Sequence, residues 1–352
     1  MSTVFYAPFR PGAAKEEQLQ AVINALDFGK SVTPGALVAV KLHFGERGND
    51  TFVRPYFVRL VTDAIKAGGG KPFLTDTNTL YKHMRHNGVD HLETAVRHGF
   101  GYAVTGAPII IADGLRGFDR REVPVKGEHF SRVLIAPAIM DADEMVVISH
   151  FKGHPASGFG GAVKNLAMGC SPALGKREQH AAAVVVNGEK CIACGACEPR
   201  CPVQAISMDG VAHIDAQECM ACGNCMHICP QDAIDIDWKT DLVVFGQRMA
   251  EYALGAVQDK KRPLYINFLM DITPGCDCHA WSDAAITPDL GIVGSDDPVA
   301  LDKACYDLVN GGAHVESPDK FLEIYPRLHP LEQLTHAEKI GMGSMTYTLE
   351  TL

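Results

Sequence analysis

Three observations predict an α/β fold, a mostly parallel sheet domain interrupted by a small α+β unit. Over residues 1–185, short runs rich in valine and isoleucine alternate with stretches of helical periodicity, the rhythm of layered α/β domains. The same rhythm resumes after residue 240. Between them, Cys191 to Trp238 holds eight of the twelve cysteines in a duplicated pattern.

Leu37–His43 (LVAVKLH) reads as a buried strand. Pro55–Ala67 has apolar residues at helical spacing, a proline in its first turn and glycines at its end. Phe73–Thr75 starts a further strand, Val89–His98 reads as a helix, and Ile109–Ala112 and Met145–Ser149 are short apolar strands. Past the cysteines, Leu242–Val257 reads as a helix and Tyr265–Met270 and Ile292–Gly294 as strands. Asp297 followed by Pro298 is a cap with proline in the first turn, starting a helix that runs to Val309. A last helix lies near Leu331–Lys339, and Thr346–Leu349 is extended. Residues 240–352 are short of strands for an independent α/β domain. The expected division is therefore one domain formed by 1–185 and 240–352 with an insert at 186–239, in preference to three domains in series.

The insert carries the plainest chemistry. Cys191, Cys194, Cys197 and Cys201 are spaced C-x2-C-x2-C-x3-C with Pro202 after them, and Cys219, Cys222, Cys225 and Cys229 repeat the spacing with Pro230 after them. PVQAISMD answers PQDAIDID beyond each proline. Each run can aim three thiolates at three corners of a [4Fe–4S] cubane, and in two-cluster ferredoxins the fourth comes from the other run. Cluster one is thus expected on Cys191, Cys194, Cys197 and Cys229, and cluster two on Cys219, Cys222, Cys225 and Cys201. A zinc site uses paired C-x2-C units and has no use for a third cysteine two residues on.

Outside the insert, Ser149–Cys170 (SHFKGHPASGFGGAVKNLAMGC) places His150, Lys152 and His154 in an expected loop after a strand. Gly158, Gly160 and Gly161 then lead into a helix over Ala162–Met168 carrying Lys164 and Asn165. A glycine loop entering a helix offers backbone N–H groups to an anion, so a small anionic ligand is expected there. The phosphate-loop and dinucleotide patterns are both absent. Lys41, His43, Glu46 and Asp76 fall at or after the ends of predicted parallel strands, where α/β sheets bind ligands, and are expected to line one crevice with Lys152, His154 and Lys164. Cys276, Cys278 and His279, in CDCH, form a candidate additional metal or redox site, to which Cys170 is a candidate third thiolate. Cys305 falls on an apolar helix face and reads as core.

The net charge of −10 argues against nucleic acid or an anionic membrane as partner. No apolar run approaches a membrane span, and the N-terminal stretch does not read as a signal peptide. Twelve cysteines without an export signal lead to an expectation of cytoplasm, where the sequon Asn49-Asp50-Thr51 has no meaning.

KLHFGERGN, SHFKGH, GFGGAVKNLAMGC, CDCH and GIVGSDDPVALDKACYDLVN together resemble the iron–sulfur proteins of domain of unknown function 362. The resemblance covers nearly the whole chain. It implies a two-cluster ferredoxin inserted in an α/β domain and supplies no reaction. Three classes of function fit these residues. In the first, a redox enzyme passes electrons between a partner protein and the crevice, where His43, Lys152, His154, Lys164 and Asn165 act. The others are an electron carrier or adaptor without catalysis of its own, and a metal- or cluster-handling protein.

Overall fold

The computed structural model describes residues 2–220, 222–238, 241–311 and 318–352. Strands β1 (Ser2–Pro8), β2 (Leu37–Lys41), β3 (Lys71–Asp76), β4 (Ile109–Ile111), β5 (Glu144–His150), β6 (Leu264–Leu269), β7 (Gly291–Ser295) and β8 (Tyr347–Thr351) form one sheet. Its order is β8-β1-β7-β6-β5-β2-β3-β4. β7 runs antiparallel to β1 and β6, and every other pairing is parallel. Both flanks of the cysteine-rich unit feed this sheet, so β6, β7 and β8 complete the layer that β1–β5 begin.

The inner strands β2, β3, β5, β6 and β7 are buried almost throughout because both of their faces are covered. Val40 stands opposite Leu74 and Val146, and Val146 opposite Leu264, in a row along one face. Helices α1 (Lys15–Ala25) and α2 (Pro55–Ala67) bury Leu19, Val22, Phe57, Val61 and Ile65 against that row. The neighbouring row, Ala39, Phe73 and Met145, faces the other way. It is covered by α3 (Ala162–Gly169), α4 (Leu242–Val257) and α5 (Pro298–Val309) through Leu166, Met249 and Leu301. Asp297 caps α5 by accepting from the N–H groups of Val299 and Ala300.

Two local expectations change. The predicted helix Val89–His98 is helical over Gly88–Ala95 and then widens into a π turn over Val96–Phe100, where Gly99 takes a φ of 90°. The segment read as a loop after β5 is a tight hairpin, Lys152–His154 paired antiparallel with Gly158–Gly160.

The cysteine-rich unit lies outside the sheet. Ala183–Val186 pairs with Ile234–Asp237, and Ile206–Asp209 with Val211–Ile214, both antiparallel. Residues 239 and 240, at the expected boundary, lie outside the described residues. Val184, Ile206, Ala212, Ile234 and Ile236 pack with Cys197, Cys225 and Met226, and Leu80 and Ala173 of the main domain join that core. Docking is completed by Lys82, whose Nζ donates to the Met226 carbonyl (3.1 Å) and pairs with Asp232 (3.0 Å), and by Arg177, which donates to the Cys219 and Ala216 carbonyls.

Candidate functional site

In the strand order, β2 is flanked by β3 on one side and β5 on the other, so the chain's path reverses there. Such a switch point opens a crevice at the carboxyl ends of parallel strands. The structure has a cavity of about 480 Å³ in that place. His43 after β2, Asp76 of β3, and Ser149 and His150 of β5 line it from the sheet. Lys152, His154, Gly160, Gly161, Lys164 and Asn165 line it from the hairpin and α3, and Cys276, Cys278 and His279 from the segment after β6.

Much of the charge beneath the crevice is compensated internally. Buried Lys41 pairs with Asp76 (3.0 Å) and donates to Asn165 Oδ1 (2.6 Å). Burial opposes ionisation of Asp76, but Lys41 and the basic groups around it hold its carboxyl well below the usual range. Asn165 is spent on the same network, its Nδ2 donating to the Ile148 carbonyl and Ser149 Oγ (3.0 Å each). Buried Arg85 binds Glu46 (3.2 Å) and Tyr81 Oη (2.7 Å). Lys41 and Glu46 therefore brace the crevice from behind instead of lining it.

The CDCH segment is a turn in which the His279 N–H donates to the Cys276 carbonyl (3.0 Å). Asp277 anchors it on the side away from the cavity, bound to His150 Nδ1 (2.9 Å), Lys152 Nζ (3.3 Å) and Thr51 Oγ1 (3.2 Å). Burial works against the Asp277 charge, and His150 and Lys152 outweigh it. For Lys152, burial works toward the neutral amine, and Asp277 with Cys276 overrides it, so its pKa is raised. Cys276 is held well below the ordinary thiol range, chiefly by the hydrogen bond from Cys278 and, against burial, by Lys164, whose Nζ lies 3.6 Å from its sulfur. Cys278, as the donor to Cys276, moves well above that range.

His43 and His154 are kept neutral, first by burial and then by neighbouring cations. Each accepts backbone N–H groups at Nδ1: His43 from Gly45 (3.0 Å), His154 from Ala156 (3.2 Å) and Ser157 (3.1 Å). An accepting Nδ1 leaves the ring proton on Nε2.

Three expectations are corrected here. The glycine segment is not an open anion loop. The Asp302 carboxylate accepts from the N–H groups of Ala162 (2.8 Å) and Val163 (2.9 Å), filling the N-terminus of α3 from within. Gly161 permits this approach, since a Cβ there would meet Asp302 Oδ1 at 2.3 Å, while Gly158 stays off the cavity wall. Asn165 likewise has its amide engaged within the protein. Third, Cys170 is buried in the apolar core, where burial pushes its thiol up to about 12. The group beside Cys276 and Cys278 is His154. Their ligand atoms all lie within 4.8 Å of one another, the one such set among the described residues and a candidate metal-binding group. His279 instead stacks on Trp281 at 4.6 Å.

Sequence reasoning passed over Tyr81, His83 and Arg85, which also line the cavity. Their signal was positional, since TLYKHMRH begins three residues past the end of β3.

In the cysteine-rich unit, Cys191, Cys194, Cys197 and Cys229 surround one small cavity and Cys201, Cys219, Cys222 and Cys225 another. Each quartet takes three cysteines from one run and one from the other. The duplication extends to the backbone. Ala205 N–H donates to Cys201 Sγ (3.2 Å) and Ala233 N–H to Cys229 Sγ (3.3 Å), and the residue before each, Gln204 or Asp232, has a left-handed φ of 55° or 45°.

The sequence matches the family described as Domain of unknown function (DUF362) over residues 38–307. No curated protein matches it. Among solved structures it is similar to the lactate racemase apoprotein from Thermoanaerobacterium thermosaccharolyticum, at 10% identity and a TM-score of 0.46, over 88% of this chain and 57% of that one. It is also similar to a Thermotoga maritima protein from a structural genomics programme, at 9% identity and a TM-score of 0.42, over 95% of this chain and 61% of that one. The chain thus spans less than two thirds of either relative.

Proposed function

The chain belongs to the DUF362 family, and on that premise we propose that it is an iron–sulfur redox protein whose cysteine-rich unit is a two-cluster ferredoxin insert serving the crevice of the α/β domain. One observation carries the reading: two cysteine quartets, each completed by a cysteine from the other run. When bound, a [4Fe–4S] cluster supplies one-electron transfer. Cys191, Cys194, Cys197 and Cys229 would hold one, and Cys219, Cys222, Cys225 and Cys201 the other.

The chain fits such groups in two further ways. Backbone N–H groups point at a sulfur in each quartet, the kind of hydrogen bond that tunes cluster potentials. Within neither quartet do three sulfurs gather inside 4.8 Å. Thiolates on one tetrahedral zinc would stand only about 3.8 Å apart, from Zn–S bonds of about 2.3 Å, whereas thiolates on separate iron corners spread more widely.

The quartets differ in setting, which gives a direction. Cys194 and neighbouring Ile192 are exposed, suiting a docking face for a redox partner protein. Cys222 and Cys225 are buried on the side where Lys82 and His86 of the main domain pack. Lys164 and the Nε2–H of His43 are the groups offered to a small, preferably anionic, substrate. Clusters and free thiols call for a reducing compartment, and we assign the cytoplasm. A metal-handling protein is the second reading, drawn from His154, Cys276 and Cys278.

The test is anaerobic purification with iron and sulfide analysis. The expected result is a brown protein with about eight iron and about eight sulfide per chain, two cubanes' worth, whose visible absorption bleaches on dithionite addition. Stoichiometric zinc in a colourless protein overturns the reading.

A further inference from the structure

We propose that Cys276 and Cys278 are a reversible dithiol/disulfide couple in the crevice, the two-electron counterpart of the two one-electron centres. This rests on the preceding reading for its electron source. The geometry supports it independently.

The turn closed by the His279 N–H and the Cys276 carbonyl brings the two cysteines round to one side. Turns of this kind keep residues two apart near the Cα span a disulfide requires, about 4.4–6.8 Å. Asp277 is held from behind by His150, Lys152 and Thr51, and both cysteines line the cavity. Lys164 Nζ stands 3.6 Å from Cys276 Sγ, where it favours the thiolate, the reactive form in thiol–disulfide exchange.

The competing chemistry at this place is a metal ion on His154, Cys276 and Cys278. His154 opposes it. Its Nδ1 lone pair is engaged by the N–H groups of Ala156 and Ser157, and its Nε2 carries the proton, so neither nitrogen is offered as a free ligand. A metal-ligating histidine shows the reverse pattern, donating its other N–H to an acceptor. Two thiolates without it leave a tetrahedral shell incomplete.

The stoichiometry closes. The disulfide takes up two electrons and one proton, its S–S bond breaks, one S–H bond forms on Cys278, and Cys276 is left as the thiolate beside Lys164. The two electrons would be supplied one from each [4Fe–4S] centre held by the two quartets, and the single proton enters from the open crevice. The Leu80–His86 segment touches both ends of this exchange. Leu80 packs in the core that contains Cys225 and Met226, and Tyr81 Oη donates to the Cys278 carbonyl at 3.4 Å.

The experiment uses the full-length protein purified without oxygen. It is equilibrated in dithiothreitol redox buffers, alkylated, and the peptide spanning Cys276 and Cys278 is weighed. The expected result is a single transition from an unalkylated disulfide to a doubly alkylated dithiol. In parallel, the oxidised protein is titrated with a photoreduced deazaflavin. Wild type should take up two electrons more than the Cys276→Ser/Cys278→Ser variant, with iron content equal in both. A peptide doubly alkylated in every buffer, or an additional stoichiometric metal present in wild type and lost in the variant, overturns the proposal. Absence of iron and sulfide from both proteins overturns the parent reading instead, and the alkylation result still decides the couple.

Discussion

Asp277 lies between the two crevice cysteines yet does not line the cavity. Its carboxylate holds His150, Lys152 and Thr51 together in a buried cluster. Removing one partner of a buried charge pair strands the other, so Asp277→Ala should cost about 3–5 kcal/mol of stability. Asp277→Asn, which keeps the shape and an acceptor for Thr51, should cost less. Urea unfolding of the three proteins measures both. From the sequence, Asp277 was visible only as a carboxylate between two thiols. Its partners come from β5, the hairpin after it and the segment after β2, which only the folded sheet brings alongside. The same limit hid Asp302, which lies far along the chain from the α3 terminus that it fills.

At the scale of the element, α3 starts on a side chain from α5. Asp302 satisfies the N–H groups of Ala162 and Val163 and accepts from Asn267 Nδ2 at 2.7 Å. Asp302→Ala leaves these buried donors unpaired, and a loss of about 1–3 kcal/mol is expected in the same unfolding assay. Gly161→Ala should destabilise too, because its Cβ would run into that carboxylate. A glycine-rich run entering a helix has the same sequence signature whether its anion is a ligand or the chain's own carboxylate, which is why the loop was misread. Helix limits were better marked: Pro55 and Pro298 stand at the first position of α2 and α5, where the sequence put them.

The cysteine-rich unit makes a sharper prediction at this scale. If each quartet crosses between the two runs, Cys229→Ser removes the cluster of the first run, and iron falls to about half. Adding Cys194→Ser should then change nothing further, because both cysteines serve one centre. Adding Cys222→Ser should remove the remaining iron. Were each run to hold its own cluster, those two outcomes would exchange.

Across the whole molecule, acid sensitivity follows from buried neutral histidines. Burial drives His91 down to about 3, with Arg85 acting in the same direction against Asp76. Burial and Lys164 take His180 to about 3. In the unfolded chain both return to about 6.5, so between roughly pH 3 and 6.5 the unfolded state binds more protons. Stability conferred by the neutral form is present above pH 6.5 and is lost as pH falls. The urea midpoint should drop between pH 7.5 and pH 5, with His91 alone accounting for on the order of 2 kcal/mol.

The sheet was legible because parallel strands covered on both faces become continuous apolar runs, as in Leu37–Lys41 and Leu264–Leu269. β1 was not legible. Val4 and Ala7 are its buried residues, and the rest of Ser2–Pro8 remains partly or wholly exposed, so no clear apolar period survives. The crevice was legible as a topological position and much less as a set of free charges. Pairing across strands, as between Lys41 and Asp76, spends those charges inside the protein.

Diffraction at the iron edge from an anaerobically grown crystal tests the account most directly. It predicts two compact groups of anomalous density, one within Cys191, Cys194, Cys197 and Cys229 and the other within Cys201, Cys219, Cys222 and Cys225. Single-atom peaks that vanish below the zinc edge, or a cluster bounded by Cys201 together with Cys191, Cys194 and Cys197, would contradict it.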